Sequence, residues 1–222
     1  MKDITLVIPA KNEVESLPTV LSELSKFNYN IKVILEKNDL KTIESIKDKK
    51  CEIIFQKGNG YGNAINNGIE TTDTDFFCIF NADGSFIPDE IESMFSQLTQ
   101  QNADFVFASR YEKNAKSEDD TIVTLVGNFL FSKLGNIFFK LTITDILYTF
   151  VLGKTSSIKK LNLKQNDFRL CVELPIKAKY SNMKIISSPA HERVRIGGKK
   201  KVNAIRDGFL ILSAMAKYYF NI

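Results

Sequence analysis

Residues 76–85 read Phe76-Phe77-Cys78-Ile79-Phe80-Asn81-Ala82-Asp83-Gly84-Ser85. An uninterrupted apolar run of this length, closed by turn-forming residues, is the pattern of a strand buried on both faces, as in a parallel sheet. Asn81 and Asp83 then fall just past the carboxyl end of that strand, and the two-residue period of extended chain points them the same way. A carboxylate with a second oxygen donor two positions away suits a divalent cation; Mg²⁺ and Mn²⁺ favour such oxygens when substrate phosphates complete the shell. Ser85 is a third oxygen in the same turn. Asn81 offers only a neutral carbonyl, so the ion is expected to bind weakly without its nucleotide. The plainer reading of the same residues is an Asx-turn in a surface loop.

Outward from this stretch, strands and helices alternate. Ile4–Ile8 is a β-branched run closed by Pro9, and Leu17, Val20, Leu21, Leu24 and Phe27 follow at helical spacing. Ile31–Leu35 and Glu52–Phe55 read as strands around a short helix at 41–49. A helix at 63–70 precedes the quoted strand, and a helix from Asp89 to Gln100, with Pro88 at its start, follows it. Asp104–Ala108 reads as a fifth strand, ending at Ser109-Arg110-Tyr111. The expected class is α/β, an open, mostly parallel sheet with helices on both faces. Ligands of such sheets sit beyond the carboxyl ends of the strands, where Glu36, Lys57, Asn81, Asp83 and Arg110 all fall.

The position after the first strand holds Pro9-Ala10-Lys11-Asn12-Glu13, without the glycines of a dinucleotide fingerprint. The Walker pattern is absent too. Gly58-x-Gly60-x-Gly62 is too tightly spaced for that fingerprint and by itself means a flexible turn. For Glu13 two readings stand: a nucleoside contact, or a carboxylate in the first turn of a helix.

The chain has 222 residues, of which 44% are hydrophobic and 25% charged, a balance that excludes a disordered or fibrous protein. Cys51, Cys78 and Cys171 are scattered, and His191 is the sole histidine, so a zinc knuckle or a two-histidine site is excluded. The N-terminus lacks the apolar stretch of a signal peptide, and a cytoplasmic chain is expected. The formal charge is +4, and the segment from His191 to Arg206 contributes +5 of it (six basic residues against Glu192), leaving about −1 elsewhere. One local basic segment suits a phosphate group or an anionic membrane surface better than a nucleic acid.

Taken in order, these motifs resemble the family-two glycosyltransferases, most closely the dolichyl- and polyprenyl-phosphate sugar transferases. The resemblance rests on Val7-Ile8-Pro9-Ala10-Lys11-Asn12-Glu13; on Lys57-Gly58-x-Gly60-x-Gly62-x-Ala64 with Gly68; on Asn81-Ala82-Asp83-Gly84 with Pro88; on Ser109-Arg110-Tyr111; on Asp145 with Phe150; and on Glu173 and the segment Glu192–Lys200. It runs from residue 4 to about residue 201. Three positions depart from the pattern: Glu36-Lys37-Asn38-Asp39 stands for "D-D-G-S", Asn81 for the first metal aspartate, and Thr149 for a glycine.

The resemblance implies a GT-A-like single domain over 1–203, followed by a C-terminal amphipathic helix over 204–222 that lies at an interface or packs on the domain. It implies an inverting transfer from a UDP- or GDP-linked sugar to a polyprenyl phosphate, with Mg²⁺ or Mn²⁺ on Asp83, helped by Asn81 or Ser85. Donor contacts would come from Pro9, Asn12, Glu13, Glu36, Lys57, Gly60, Asn81, Ala82, Asp83 and Arg110. Asp145 or Glu173 would be the general base for a hydroxyl acceptor. Arg193, Arg195 and Lys199 would supply positive charge from a closing loop. Plainer readings are a surface residue for Asp145 and an ion pair with Arg169 for Glu173.

Residues 121–141 are rich in large apolar side chains and read as one helix or two short ones broken near Gly127 or Gly135. Residues 204–220 form a further helical pattern, in which Arg206, Asp207 and Lys217 argue against spanning a membrane. A peripheral association with the cytoplasmic membrane face, or with a membrane-bound partner, is expected beside the alternative of packing on the domain or in a dimer. Residues 112–120 (EKNAKSEDD) read as a charged loop without an assigned role. Alternative functions are transfer to a glycan or lipid-linked sugar hydroxyl, and a catalytically inactive subunit that binds nucleotide sugar. A nucleotidyltransferase is disfavoured by the missing glycine loop.

Overall fold

The computed structural model of the chain describes residues 3–197 and 203–220. Its first half alternates β1 (Ile4–Pro9), α1 (Leu17–Leu24), β2 (Asn30–Leu35), α2 (Leu40–Ser45), β3 (Glu52–Phe55), α3 (Tyr61–Glu70), β4 (Phe76–Ile79), α4 (Glu90–Gln100) and β5 (Phe105–Ser109). The second half contains β6 (Lys116–Ser117), α5 (Ile122–Phe139), β7 (Val151–Lys154), α6 (Thr155–Leu161), α7 (Leu170–Tyr180), β8 (Ile185–Pro189), β9 (His191–Glu192) and α8 (Ala204–Phe220).

Seven strands form one sheet in the order β3-β2-β1-β4-β7-β5-β8. All neighbours run parallel except β7, which is antiparallel to both β4 and β5. The strands are apolar on both sides because helices cover both faces. Val7, Phe77, Ile79, Phe105 and Phe107 pack on the side of α3, α5 and α7. Ile8, Cys78, Phe80, Val106 and Ala108 pack on the side of α1 and α4. On this second side Phe80, Phe86 and Phe150 make an aromatic cluster: Phe86 stacks on Phe150 at 4.6 Å, and Phe80 meets both edge-on. The direction in which successive strands are added across the sheet reverses between β1 and β4, which opens a crevice at their carboxyl ends.

The five strands expected from sequence all form, within a residue or two of their expected ends. β7, β8, α6 and α7 add to them. The 121–141 segment is a single helix, α5, capped by Thr121, whose hydroxyl and that of Thr124 exchange bonds with each other's backbone N–H. Neither glycine breaks it: Gly127 faces open space, while Gly135 lets Ile146 and Leu141 approach.

Gly153 marks where β7 enters the sheet, since a Cβ there would lie 2.4 Å from the Phe105 ring and 2.9 Å from the Asp104 carbonyl oxygen. Gly153→Ala is therefore expected to cost about 1–3 kcal/mol by overpacking, read as a lower urea midpoint at unchanged slope. An unchanged midpoint would contradict the packing of β7 against β5.

Candidate active site

The crevice widens into a cavity of about 710 Å³. Pro9 and Ala10 close it at the end of β1, Glu36 at the end of β2, and Asn81, Ala82 and Asp83 after β4. Gly60 and Tyr61 enter from the start of α3. Gly60 has φ +98° and sits against the Asn166 carbonyl, so only glycine fits the turn that brings α3 to this rim. Val123, Phe131, Leu147 and Ile211 form an apolar wall on the opposite side, contributed by α5, α8 and the loop before β7.

At the donor rim the Asp83 carboxylate is held in place by its own turn. Its Oδ1 accepts from the Ser85 N–H at 3.1 Å and from the Ser85 hydroxyl at 2.7 Å. Its Oδ2 faces Arg195 Nη1 at 3.6 Å, and Arg195 Nη2 donates to Asp119 Oδ2 at 3.1 Å. Asn81 Oδ1 accepts from the Tyr61 hydroxyl at 3.4 Å and the Thr149 hydroxyl at 3.5 Å. Burial pushes the Tyr61 hydroxyl well above its ordinary pKa, so it remains a donor. This set fits a divalent ion shared with phosphates. One carboxylate oxygen already faces a cation, a neutral carbonyl stands two residues away, and among the described residues no three His, Cys, Asp or Glu converge to hold an ion alone.

Beside the rim lies a buried charge cluster. Arg110 Nε donates to Asp145 Oδ2 at 2.7 Å and Nη2 to Asp145 Oδ1 at 3.1 Å, a two-pronged pair. Arg110 Nη1 reaches Glu192 Oε2 at 3.1 Å and Asp120 Oδ1 at 3.3 Å. The guanidinium also lies over the Tyr148 ring, 4.5 Å from its centroid. The Asn128 amide of α5 completes the shell in the orientation that turns its oxygen to Arg110 Nη2 (2.6 Å) and its nitrogen to Asp145 Oδ1 (3.2 Å). Burial works against the Arg110 charge, but Asp145 and Glu192 outweigh it and hold the guanidinium protonated. Burial pushes both the Asp145 and Glu192 carboxyls up, with Arg110 opposing in each case.

Of the residues expected from sequence, Pro9, Glu13, Glu36, Gly60, Asn81, Ala82, Asp83, Arg110 and Arg195 line the cavity. Glu13 precedes α1 rather than lying in its first turn, and its Oε2 accepts from the Ser16 hydroxyl at 2.7 Å. Several expectations are corrected. Lys57 does not reach the cavity: its ammonium pairs with Glu70 at 2.8 Å on the outer face of α3, and Gln56 lines the cavity instead. Asn12 has φ +54° and directs its backbone N–H to Asp39 Oδ2, while its side chain is exposed. Ser85 acts on Asp83 and does not itself line the cavity. Arg193 turns away, to Glu23 and the Phe86 carbonyl.

Asp145 is buried behind Arg110 and offers no free oxygen to an acceptor, so it is a positioning residue for that guanidinium. Glu173 is fully buried and accepts the Lys164 and Gln165 N–H groups, with Lys177 rather than Arg169 as its ion-pair partner. Arg169 pairs with Asp167. Lys199 lies outside the described residues. Asp119, Asp120 and Tyr61 line the cavity without having been singled out, and so does Thr149, noted from sequence only as a departure from the pattern. The two aspartates end the unassigned 112–120 loop, and their proximity to Arg110 and Arg195 arises only on folding.

A family profile described as glycosyl transferase family 2 matches residues 5–161, and the chain belongs to that family. An uncharacterised glycosyltransferase of Mycobacterium tuberculosis is 24% identical over 208 residues, 94% of this chain and 93% of that protein. The UDP-N-acetylglucosamine–dolichyl-phosphate N-acetylglucosaminyltransferase of Methanococcus voltae is 23% identical, over 85% of this chain and 84% of its own length. Among solved structures, glucosyl-3-phosphoglycerate synthase of M. tuberculosis, crystallised with Mn²⁺, UDP and glucosyl-3-phosphoglycerate, superposes with a TM-score of 0.76. It is 12% identical and is matched over 99% of this chain and 80% of its own. Mannosyl-3-phosphoglycerate synthase of Rubrobacter xylanophilus gives 0.71 at 13% identity, over 99% and 73%. The fold is thus the GT-A-like one.

Glu90, at the start of α4, accepts the His191 N–H on Oε1 at 2.6 Å, while its Oε2 is buried and meets no hydrogen-bond donor among the described residues. Burial raises its carboxyl from 4.5 to about 7, against the pull of His191 and Arg193. The folded value lies above the unfolded one, so the folded state binds the extra proton and loses stability as pH rises from about 4.5 through 7. Glu90→Gln removes that ionisation. The variant should therefore gain melting temperature over the wild type at pH 8 and gain least near pH 5; an equal gain at both would contradict the assignment.

Proposed function

We propose that this chain is an inverting glycosyltransferase that moves a sugar from a nucleotide diphosphate sugar, UDP- or GDP-linked, to a polyprenyl phosphate at a membrane surface. The observation that carries the reading is the two-sided cavity, with a polar donor rim at the strand ends and an apolar wall on α5 and α8. The wall suits an isoprenoid chain; the archaeal relative's dolichyl-phosphate acceptor supports the same class.

In this reading the nucleoside lies against Pro9, Ala10 and Glu36, with Gly60 and Tyr61 beside it. Asp83, with the Asn81 carbonyl beside it, would hold Mg²⁺ or Mn²⁺, which when bound supplies positive charge to the departing diphosphate. Asp83 is kept in register by Ser85, so no side-chain search precedes binding. Arg195 adds a cation at the same edge, and Arg110, locked by Asp145, contributes its charge from the cavity wall. Attack from the side opposite the diphosphate inverts the anomeric centre.

A second reading, transfer to a sugar hydroxyl, is favoured by the charges of the cavity. Lys11, Arg110 and Arg195, the cations that line it among the described residues, are each paired with carboxylates. Asp145 and Glu173 do not line the cavity, so in this reading the base would come from the carboxylates that do, among them Asp119, Asp120 and Glu192.

The outer faces of α5 and α8 bear on the location. Ile122, Phe129, Ile137, Ile205 and Phe209 are exposed, on two helices that pack together beside the cavity's apolar wall. α5 is long and apolar enough to cross a membrane, but its inner face carries Asn128 in the charge cluster and Ser132 bonded to the Ile146 N–H. We infer that both helices lie in the interface of an anionic membrane, apolar faces down.

The reading is tested with labelled UDP- and GDP-sugars, Mn²⁺ and polyprenyl phosphate in detergent. One nucleotide class should yield organic-extractable, acid-labile product, and Asp83→Ala should lower turnover about 100-fold or more. Product from a sugar acceptor alone would favour the second reading; nucleotide binding without turnover would favour an inactive subunit. For the membrane surface, Phe129→Asp with Phe209→Asp should weaken sedimentation with anionic vesicles about tenfold or more. Undiminished binding of that variant would remove α5 and α8 as the contact.

A further inference from the structure

The loop that carries Arg195 is fastened to the turn whose carboxylate it neutralises. The Arg193 N–H donates to the Ser85 carbonyl at 2.9 Å and the Ile196 N–H to the Asp83 carbonyl at 2.8 Å. Ile196 rests on Gly84, where φ is +83° and any Cβ would collide with it at 2.5 Å. Gly197 is pressed against Glu15, where a Cβ would lie 2.7 Å from its carboxylate. The backbone on both sides of Arg195 is thus held, and its side chain is the part left to move.

That side chain stands between two carboxylates. Nη1 is 3.6 Å from Asp83 Oδ2, and Nη2 is 3.1 Å from Asp119 Oδ2. Its Nε is buried and meets no acceptor among the described residues. A guanidinium held at two ends with an unsatisfied N–H between them is poised to rotate toward a new acceptor. Oδ2 is the Asp83 oxygen left to a divalent ion, because Oδ1 is taken by Ser85. Arg195 and a divalent ion therefore compete for one oxygen.

We propose that Arg195 is a resident cation that keeps Asp83 neutralised until the nucleotide diphosphate arrives, and that Asp119 is its second seat. When the ion takes Asp83 Oδ2, like-charge repulsion drives the guanidinium off that oxygen. It remains tethered to Asp119, and its freed N–H groups turn to the diphosphate. The diphosphate gives the displaced guanidinium a new acceptor in place of Asp83, so ion and nucleotide bind with positive cooperativity and the nucleotide-free protein takes up little metal. Asn81 acts in the same direction: with a neutral carbonyl in place of a second carboxylate, Asp83 Oδ2 is the oxygen of this turn for which both cations compete. This deepens the proposed donor site and rests on that assignment of Asp83.

The test is Mn²⁺ binding to the full chain without nucleotide, read by electron paramagnetic resonance of free Mn²⁺ and by calorimetry. Wild type and Arg195→Lys should bind weakly. Arg195→Gln should bind Mn²⁺ about tenfold or more tightly, the effect of removing a unit charge from within about 4–6 Å. Adding UDP or GDP should tighten Mn²⁺ binding in the wild type and much less in Arg195→Gln. Asp119→Asn, which leaves Arg195 with Asp83 alone, should not gain Mn²⁺ affinity, and it serves as the second variant if Arg195→Gln does not fold by circular dichroism.

Unchanged or weaker Mn²⁺ binding in Arg195→Gln overturns the proposal. So does a gain that persists in the Asp83→Asn, Arg195→Gln double variant, because the ion then sits elsewhere. A gain in Asp119→Asn overturns it equally. Failure of sugar transfer with the Mn²⁺ result intact would remove the proposed reaction and leave the exchange standing.

Discussion

The Arg110 guanidinium sits at a junction of otherwise separate segments. It leaves the end of β5 and meets Asp145 before β7, Asp120 before α5 and Glu192 on β9, while the ring of Tyr148 covers it. Removing one partner from so buried a set leaves a charge without compensation, at a cost of about 3–5 kcal/mol. Ser117 and Thr124 extend the network into the 112–120 loop and the first turn of α5. The first turn of α5, and with it one end of the cavity's apolar wall, is therefore tied to the Arg110 cluster.

This arrangement separates the duties of the carboxylates. Asp145 is spent on orientation, since its oxygens receive the Arg110 N–H groups and its side chain is fully enclosed. Glu173 is spent on the loop that delivers Asn166 to Gly60 and Asn63, and so on the position of α3. What faces the cavity is a ring of paired charges rather than a bare cationic pocket. Carboxylates outnumber cations along its wall, so the cavity favours a ligand that brings a cation with it over a bare anion.

α8 follows the basic segment and returns to the domain against α5 and α7. Gly208 admits the Phe131 ring at 3.9 Å, and Ile211, Ala214 and Met215 are buried. The helix therefore belongs to the wall of the site as well as to the outer apolar face. One pair of helices thus joins the place where a lipid would be gripped to the surface from which it would be drawn.

The N-terminal sheet was legible in sequence because its strands are short and continuously apolar, from Ile4 to Ile8 and from Phe76 to Phe80, with turn residues at their ends. The same local pattern located Pro9, Glu36, Asn81, Asp83 and Arg110, for a residue just past a parallel strand has one rim on which to lie. β7 was not legible: Val151–Lys154 is short, contains Gly153, and becomes a strand only because β4 and β5 leave a gap that an antiparallel neighbour fills. The roles of Asp145, Glu173 and Lys57 were equally hidden, since each depends on a partner brought close by folding: Arg110, the Lys164 backbone and Glu70. Sequence alone thus determined the fold class and the donor rim, through hydrophobic period and turn chemistry, which act over a few residues. Which charges are locked, which face the cavity and which cation faces Asp83 were decided by tertiary structure, because ion pairing and desolvation act across space between segments far apart in the chain.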